Sequence, residues 1–389
     1  MSTTYDGPPD YRVVGRHGVF PEVGHDEAER FNVLAQMNRH LATRVMPGVA
    51  EAYEARVPKG QNDRRAVLRD LAKDRYFQGW SALRRNTMEM RQQAGRWTTL
   101  RQREELAEKA RAGEHLLALD PSLEVPRYVS AVDHHCMPGS YHTSYGEGDV
   151  TNGANYDVGL FATTGGMLGR YNDGGGLAAV RWVRDNLPGF APRRILDLGC
   201  TVGHNAVPIA EAYPEAEVVA IDVGEPVLRY GAARAASLGV ENIRFVQADA
   251  TDLGRYADES FDWIQSTMFI HETSLPAMRA IFAETRRLLA PGGVVLHVEQ
   301  PQYTDDMPLF EQAMRDWDAL FNNEPFWSQL HGIDLEGELV RAGFARDELI
   351  HSGATAVVDR DVFPDAADEE GEDYGRKAAW EVIGARRRP

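Results

Sequence analysis

The apolar residues of this chain change period twice. From Asp26 to about His115 they recur every three or four positions, as in Phe31, Leu34, Met37 and Leu41, and less regularly in Val67, Leu71, Phe77 and Leu83. That spacing puts them on one helical face and predicts a bundle of three to five helices. Between Asp120 and Gly176 the periodicity lapses. Pro, Gly, Tyr and His dominate, as in Met137-Pro-Gly-Ser-Tyr-His-Thr-Ser-Tyr-Gly146, and long irregular segments of this kind serve as lids or connectors. From Gly175 onward, short apolar runs alternate with helical patterns. Ile195–Leu198, Glu217–Asp222, Ile243–Gln247, Phe261–Gln265 and Val294–Glu299 read as strands, largely apolar as buried parallel strands are. Helices are predicted over Leu177–Leu187, Leu275–Leu289, Met307–Phe321 and Leu335–Ala342. Such alternation belongs to an open α/β sheet.

The first of these strands runs into Asp197-Leu-Gly-Cys-Thr-Val-Gly203-His-Asn205. Residues without a Cβ let strand and helix meet closely and leave backbone open to a ligand at the carboxyl edge of the sheet. A dinucleotide fingerprint would place glycines at 199, 201 and 204. The chain has Gly199, Thr201 and His204 there, and a β-branched residue at 201 would crowd a pyrophosphate. The segment instead resembles the first motif of class I S-adenosylmethionine-dependent methyltransferases, with Thr201 where that family commonly has its middle glycine. Arg286-Arg-Leu-Leu-Ala-Pro-Gly-Gly293, before the fifth strand, is similar to a second landmark of the family.

The resemblance implies an α/β fold. It is a Rossmann-like, seven-stranded methyltransferase sheet whose last strands, Glu348–Ser352 and Ala378–Ala385, form an antiparallel hairpin. An N-terminal α-helical cap domain precedes it. The expected division is a helical domain over 1–118, a Gly/Tyr/His-rich lid or substrate-pocket segment over 119–174, and the cofactor-binding core over 175–389. S-adenosylmethionine is the implied cofactor and S-adenosylhomocysteine its product. Asp197, Gly199, Cys200 and Gly203 are expected around the amino-acid end of the cofactor. Asp222 and Val223 end the second strand, where a carboxylate can accept both ribose hydroxyls. Asp249 and Ala250 follow the third strand near the adenine, and Gln265 ends the fourth.

Methyl transfer from a sulfonium is an in-line displacement that builds no large negative charge, so positioning and one proton acceptor suffice. His271 and Glu299, at the ends of the fourth and fifth strands, are the candidate bases. His297 reads as a core histidine. Tyr141, Tyr145, Tyr156 and Tyr171 are candidates for an aromatic substrate wall. The expected reaction methylates O, N or C of a small molecule in specialised metabolism, with an aromatic, polycyclic or isoprenoid-like acceptor. The alternatives are a protein or tRNA methyltransferase, and a non-catalytic scaffold that binds the cofactor.

Composition narrows the partners. A formal net charge of −17 disfavours nucleic acid, whose phosphates need clustered Lys and Arg. Apolar runs are too short for a membrane span, and two cysteines, Cys136 and Cys200, form no disulfide framework, which suits the cytoplasm. His134, His135 and His142 lack partners at zinc-site spacing, so no metal is expected. The acidic stretch Asp361–Asp373 reads as a solvated loop. The N-terminal helices could support a homo-oligomer.

Overall fold

The computed structural model describes residues 7–354, 357, 359–363 and 380–389. Most of the acidic stretch Asp361–Asp373, and the start of the strand expected from Ala378, lie outside them. The strands in chain order are β1 (Leu117–Ala118), β2 (Arg194–Leu198), β3 (Glu217–Asp222), β4 (Ile243–Gln247), β5 (Phe261–Thr267), β6 (Leu289–Glu299), β7 (Leu349–Ala354) and β8 (Trp380–Arg386). They form one sheet in the order β1-β4-β3-β2-β5-β6-β8-β7. Strands β1 to β6 pair in parallel, and β8 runs antiparallel to both β6 and β7. This is the Rossmann-like methyltransferase sheet with its antiparallel closing hairpin.

The sheet has eight strands where seven were expected. The extra one is supplied by the helical part of the chain, with Leu117 opposite Phe245 and Ala118 opposite Val246. Two residues carry no period, so nothing in the pattern of apolar positions could reveal it.

Both faces of the sheet are covered, which explains the largely apolar strands. Ile195, Val218, Phe245, Trp263 and Leu296 pack with Val183 on one side. Leu196, Val219, Ile221, Ile264 and Val295 pack with Phe282 on the other. The helix before β2 spans Gly174–Asn186, three residues earlier than expected at its start. Its glycines permit a close approach to the turn after β2, since a Cβ on Gly176 would lie 2.6 Å from the Asn205 carbonyl.

The N-terminal part forms helices at His25–His40, Met46–Arg56, Arg64–Leu71, Arg75–Leu100 and Arg103–Ala110. Phe31, Leu34, Leu41, Val67, Leu71 and Phe77 are buried, but Leu83 is exposed. The expected irregular segment departs most from its reading. It holds a helix, Thr151–Thr164, buried on nearly every side. A helix enclosed all round shows no amphipathic period, and several of its polar groups find partners within the protein. Asn155 donates to Gln92 Oε1 (3.0 Å), while Asp157 accepts from Tyr230 Oη (2.9 Å) and sits 2.8 Å from His204 Nε2.

One apolar cluster joins both parts of the chain: Val19, Leu106, Tyr141 and Val150 pack with Val202, Val227 and Tyr230. Among the described residues no helix is long and apolar enough to cross a membrane.

Candidate active site

The strand order reverses between β2 and β5, and the carboxyl ends of these strands open the crevice in which ligands of open α/β sheets bind. After β2 the chain turns through Gly199 (φ +68°), Thr201 (φ +44°) and Gly203 (φ +77°). Glycine is required at 199, because a Cβ there would stand 2.3 Å from the Phe269 ring. The Cys200 N–H donates to the Ile221 carbonyl (2.9 Å), tying the turn to β3. Asp222, at the end of β3, accepts the Thr201 N–H on Oδ2 (3.0 Å) and the Gly224 N–H on Oδ1 (2.8 Å). Burial pushes its carboxyl up to about 6, against the pull of those backbone donors. Asp197 is deeper still. Burial, with the charge of Asp222 beside it, raises it to about 8, and its Oδ2 has no hydrogen-bond partner.

A cavity of about 220 Å³ extends from this turn into the helical layer. Gly199, Thr201, Asp222, Val223, Ala248 and Ala250 line one end. Tyr128 stands near Asp249 and Asp222, and the rest of the wall includes Met88, Tyr141, Tyr156, His135, His271, Glu272, Glu324 and Trp327. Strand β5, the segment after it, the His134–Cys136 turn and the loop after the Leu309–Phe321 helix therefore converge there. Several residues at this junction hold left-handed backbone although they carry side chains: His135 (φ +53°), Met268 (φ +53°) and Asn323 (φ +56°). Such conformations cost free energy and persist where the surroundings enforce them.

The charged side chains form a chain of contacts. His271 Nδ1 lies 2.6 Å from Glu299 Oε2, and His271 Nε2 lies 3.1 Å from Glu324 Oε2. His135 bridges Glu324 through Nδ1 (3.1 Å) and Glu272 through Nε2 (3.1 Å). Tyr141 Oη donates to Glu272 Oε1 (3.0 Å). Burial alone would lower both imidazoles. The carboxylates outweigh it, holding His135 up to about 9 and His271 well above its ordinary range. Glu324 is held well below the usual carboxylate range by His135 and His271, despite its burial.

Several expectations are corrected by these positions. Glu299 does not face the cleft. It is fully buried behind Ile270 and accepts the N–H groups of Phe269 (2.9 Å) and Ile270 (2.6 Å), so it orients His271. His271 does line the cavity, but a ring that keeps its proton offers no free lone pair to a substrate. Gln265 is buried and does not line the cavity itself, but donates to Oγ1 of the lining residue Thr267 (2.8 Å). Cys200, Gly203 and Asp197 support the turn from behind without lining the cavity, and Gly203 accommodates the Phe245 ring. Asp249 accepts the Thr251 N–H (2.9 Å), and the cavity wall is formed by its neighbours Ala248 and Ala250. Of the four tyrosines, Tyr141 and Tyr156 line the cavity. Tyr145 donates to the Pro138 carbonyl (3.2 Å), and Tyr171 packs on Gly15.

The three histidines considered together do not gather. His134 Nδ1 contacts Ser140 Oγ (3.2 Å), whereas His135 joins Glu272 and Glu324. Glu272 had a local signal, being adjacent to His271. Glu324 had none, because it lies in a loop and reaches the site only through the tertiary fold.

A methyltransferase-domain family model matches residues 195–293. A demethylmenaquinone methyltransferase of Thermus thermophilus is 35% identical over 127 residues, covering 32% of this chain and 56% of that protein. A trans-aconitate 2-methyltransferase of an Acidovorax species is 33% identical over 122 residues, covering 30% and 41%. The solved phosphoethanolamine N-methyltransferase 2 of Haemonchus contortus, in complex with S-adenosyl-L-methionine, overlaps 60% of this chain and 57% of its own at a TM-score of 0.44 and 16% identity. The chain spans about half the length of the first two curated relatives it matches. Its C-terminal part carries a class I S-adenosylmethionine-dependent methyltransferase domain, preceded by a helical region.

Proposed function

We propose that the whole chain transfers a methyl group from S-adenosylmethionine to a small molecule held in the cavity. The observation that carries this reading is the single cavity that joins the glycine turn and Asp222 to a buried charged cluster. The ribose hydroxyls donate to the remaining lone pairs of Asp222. The adenine lies toward Val223, Ala248 and Ala250, and the amino-acid end lies along Gly199 and Thr201, with Asp197 behind. The acceptor occupies the far end, between Tyr141, Tyr156 and Trp327. These rings suit an aromatic or polycyclic acceptor.

Glu272 is a carboxylate at the cavity wall that can take the acceptor's proton, with His135 and Tyr141 fixing its position. The acceptor's lone pair attacks the methyl carbon, the carbon–sulfur bond breaks, and its electron pair stays on sulfur as the neutral thioether. Residues 1–174 contribute Met88, Tyr141 and Tyr156 to acceptor recognition, and 175–389 contribute the cofactor site together with Glu272 and Glu324.

The test has two stages. Calorimetry should show S-adenosylhomocysteine binding, and incubation with methyl-labelled cofactor and a metabolite extract should move label into a small-molecule fraction. Binding without transfer would favour the scaffold reading, label in protein or tRNA would reassign the acceptor, and absence of binding would remove the proposal.

A further inference from the structure

We infer that the acceptor end of the cavity is a binding site for one divalent first-row transition-metal ion, held by His135, Glu272 and Glu324. One ligand atom each from His135, Glu272 and Glu324 falls within 4.8 Å of the others. His271 Nε2 approaches the same cluster, 3.1 Å from Glu324 Oε2. Ligands about 2.1 Å from a shared ion, at tetrahedral or octahedral angles, lie about 3.0–3.4 Å apart. The His135 Nε2–Glu272 and His135 Nδ1–Glu324 contacts, each 3.1 Å, place either ring nitrogen at that edge length from a carboxylate of the set.

A second observation separates this site from a plain ion-pair network. Glu324 is fully buried, yet its Oε2 has no aligned hydrogen bond, although His271 Nε2 is so close.

The outer contacts are those of metal ligands. Glu299 holds His271 Nδ1 (2.6 Å), Asn322 Nδ2 lies 2.8 Å from His135 Nδ1, and Tyr141 donates to Glu272. These contacts fix the orientation of the ligands and of His271 beside them. An imidazole nitrogen with two carboxylates suits zinc, manganese, iron or cobalt better than magnesium or calcium, which prefer all-oxygen surroundings.

The full chain, stripped with a chelator and dialysed, should take up one equivalent of Co²⁺ with visible d–d absorption, displaced by Zn²⁺. Glu324→Gln and Glu272→Gln should each weaken Co²⁺ uptake at least tenfold. Glu272, nearer the cavity surface, carries the test if the Glu324 variant does not fold. No stoichiometric uptake of Co²⁺, Zn²⁺ or Mn²⁺ by the folded wild type would overturn the inference, as would uptake unchanged in a folded variant. S-adenosylhomocysteine binding is measured separately, so failure of the metal site and failure of the methyltransferase reading remain distinguishable.

Discussion

Removing the Asp222 carboxylate is the sharpest test of the cofactor site. Each of its oxygens already accepts one backbone N–H, from Thr201 (3.0 Å) and from Gly224 (2.8 Å), and each keeps a lone pair for a ribose hydroxyl. A hydrogen bond to a charged acceptor contributes about 1.5–3 kcal/mol. One bond lost at the lower bound is about a tenfold loss of affinity, and two are more than a hundredfold. Asp222→Ala should therefore bind S-adenosylhomocysteine at least tenfold more weakly by titration calorimetry. Because Thr201 and Gly224 lose an acceptor too, thermal unfolding of the variant must show that the fold survives.

The wild type should also carry a pH signature. Burial holds the Asp222 carboxyl near 6, and the ionised form is the one that accepts both hydroxyls. Affinity should then fall about tenfold between pH 7 and pH 5, a dependence the alanine variant should lack. A variant that binds within threefold of the wild type, or a flat wild-type profile, would show that Asp222 does not hold the ribose.

Gly199→Ala should lower stability by about 2–5 kcal/mol and disrupt cofactor binding, because it combines a left-handed backbone with a Cβ 2.3 Å from Phe269; an unchanged melting temperature would count against that packing. Burial depresses His297 to about 3, so the unfolded chain takes up a proton first as pH falls below its ordinary value. Stability should drop by about 2.3 kcal/mol between pH 6.5 and 4.5 on this account, and His297→Gln should remove that share of the acid sensitivity in urea titrations. Met88→Trp should raise the KM for the acceptor while leaving cofactor affinity within about twofold, since Met88 meets the cavity from the Arg75–Leu100 helix and not from the sheet edge; equal changes in both would contradict the division of the site. Leu83, Met90 and Trp97 are exposed at seven-residue intervals on one face of the Arg75–Leu100 helix. If that face pairs two chains, Trp97→Glu should shift sedimentation from dimer to monomer, and a wild type that sediments as a monomer would dispose of the idea.

How much was legible follows from the range of each interaction. Strands β2 to β6 and the glycine turn are written locally, because a buried strand needs a run of apolar residues and a tight strand–helix turn needs glycine. Gly199, Asp222 and Val223 could thus be located from the chain alone, as could His271 beside β5. The helix at Thr151–Thr164 escaped because enclosure on all sides erases amphipathic period and tolerates Asn and Gly that a solvated helix would not. Strand β1 escaped because two residues have no period at all.

The acceptor end lay furthest from view. His135, Glu272 and Glu324 come from three separate segments, and only the packing of the helical layer over the sheet sets their mutual distances near 3.1 Å. The same packing turned Glu299 from a candidate base into the support of His271, since whether a strand-end carboxylate meets the cleft or a backbone turn depends on the loop folded over it. Local sequence determined where a cofactor could lie against the backbone. The burial, charge and partners of the groups facing the acceptor were decided only by long-range contacts, which carry no signature in the order of residues.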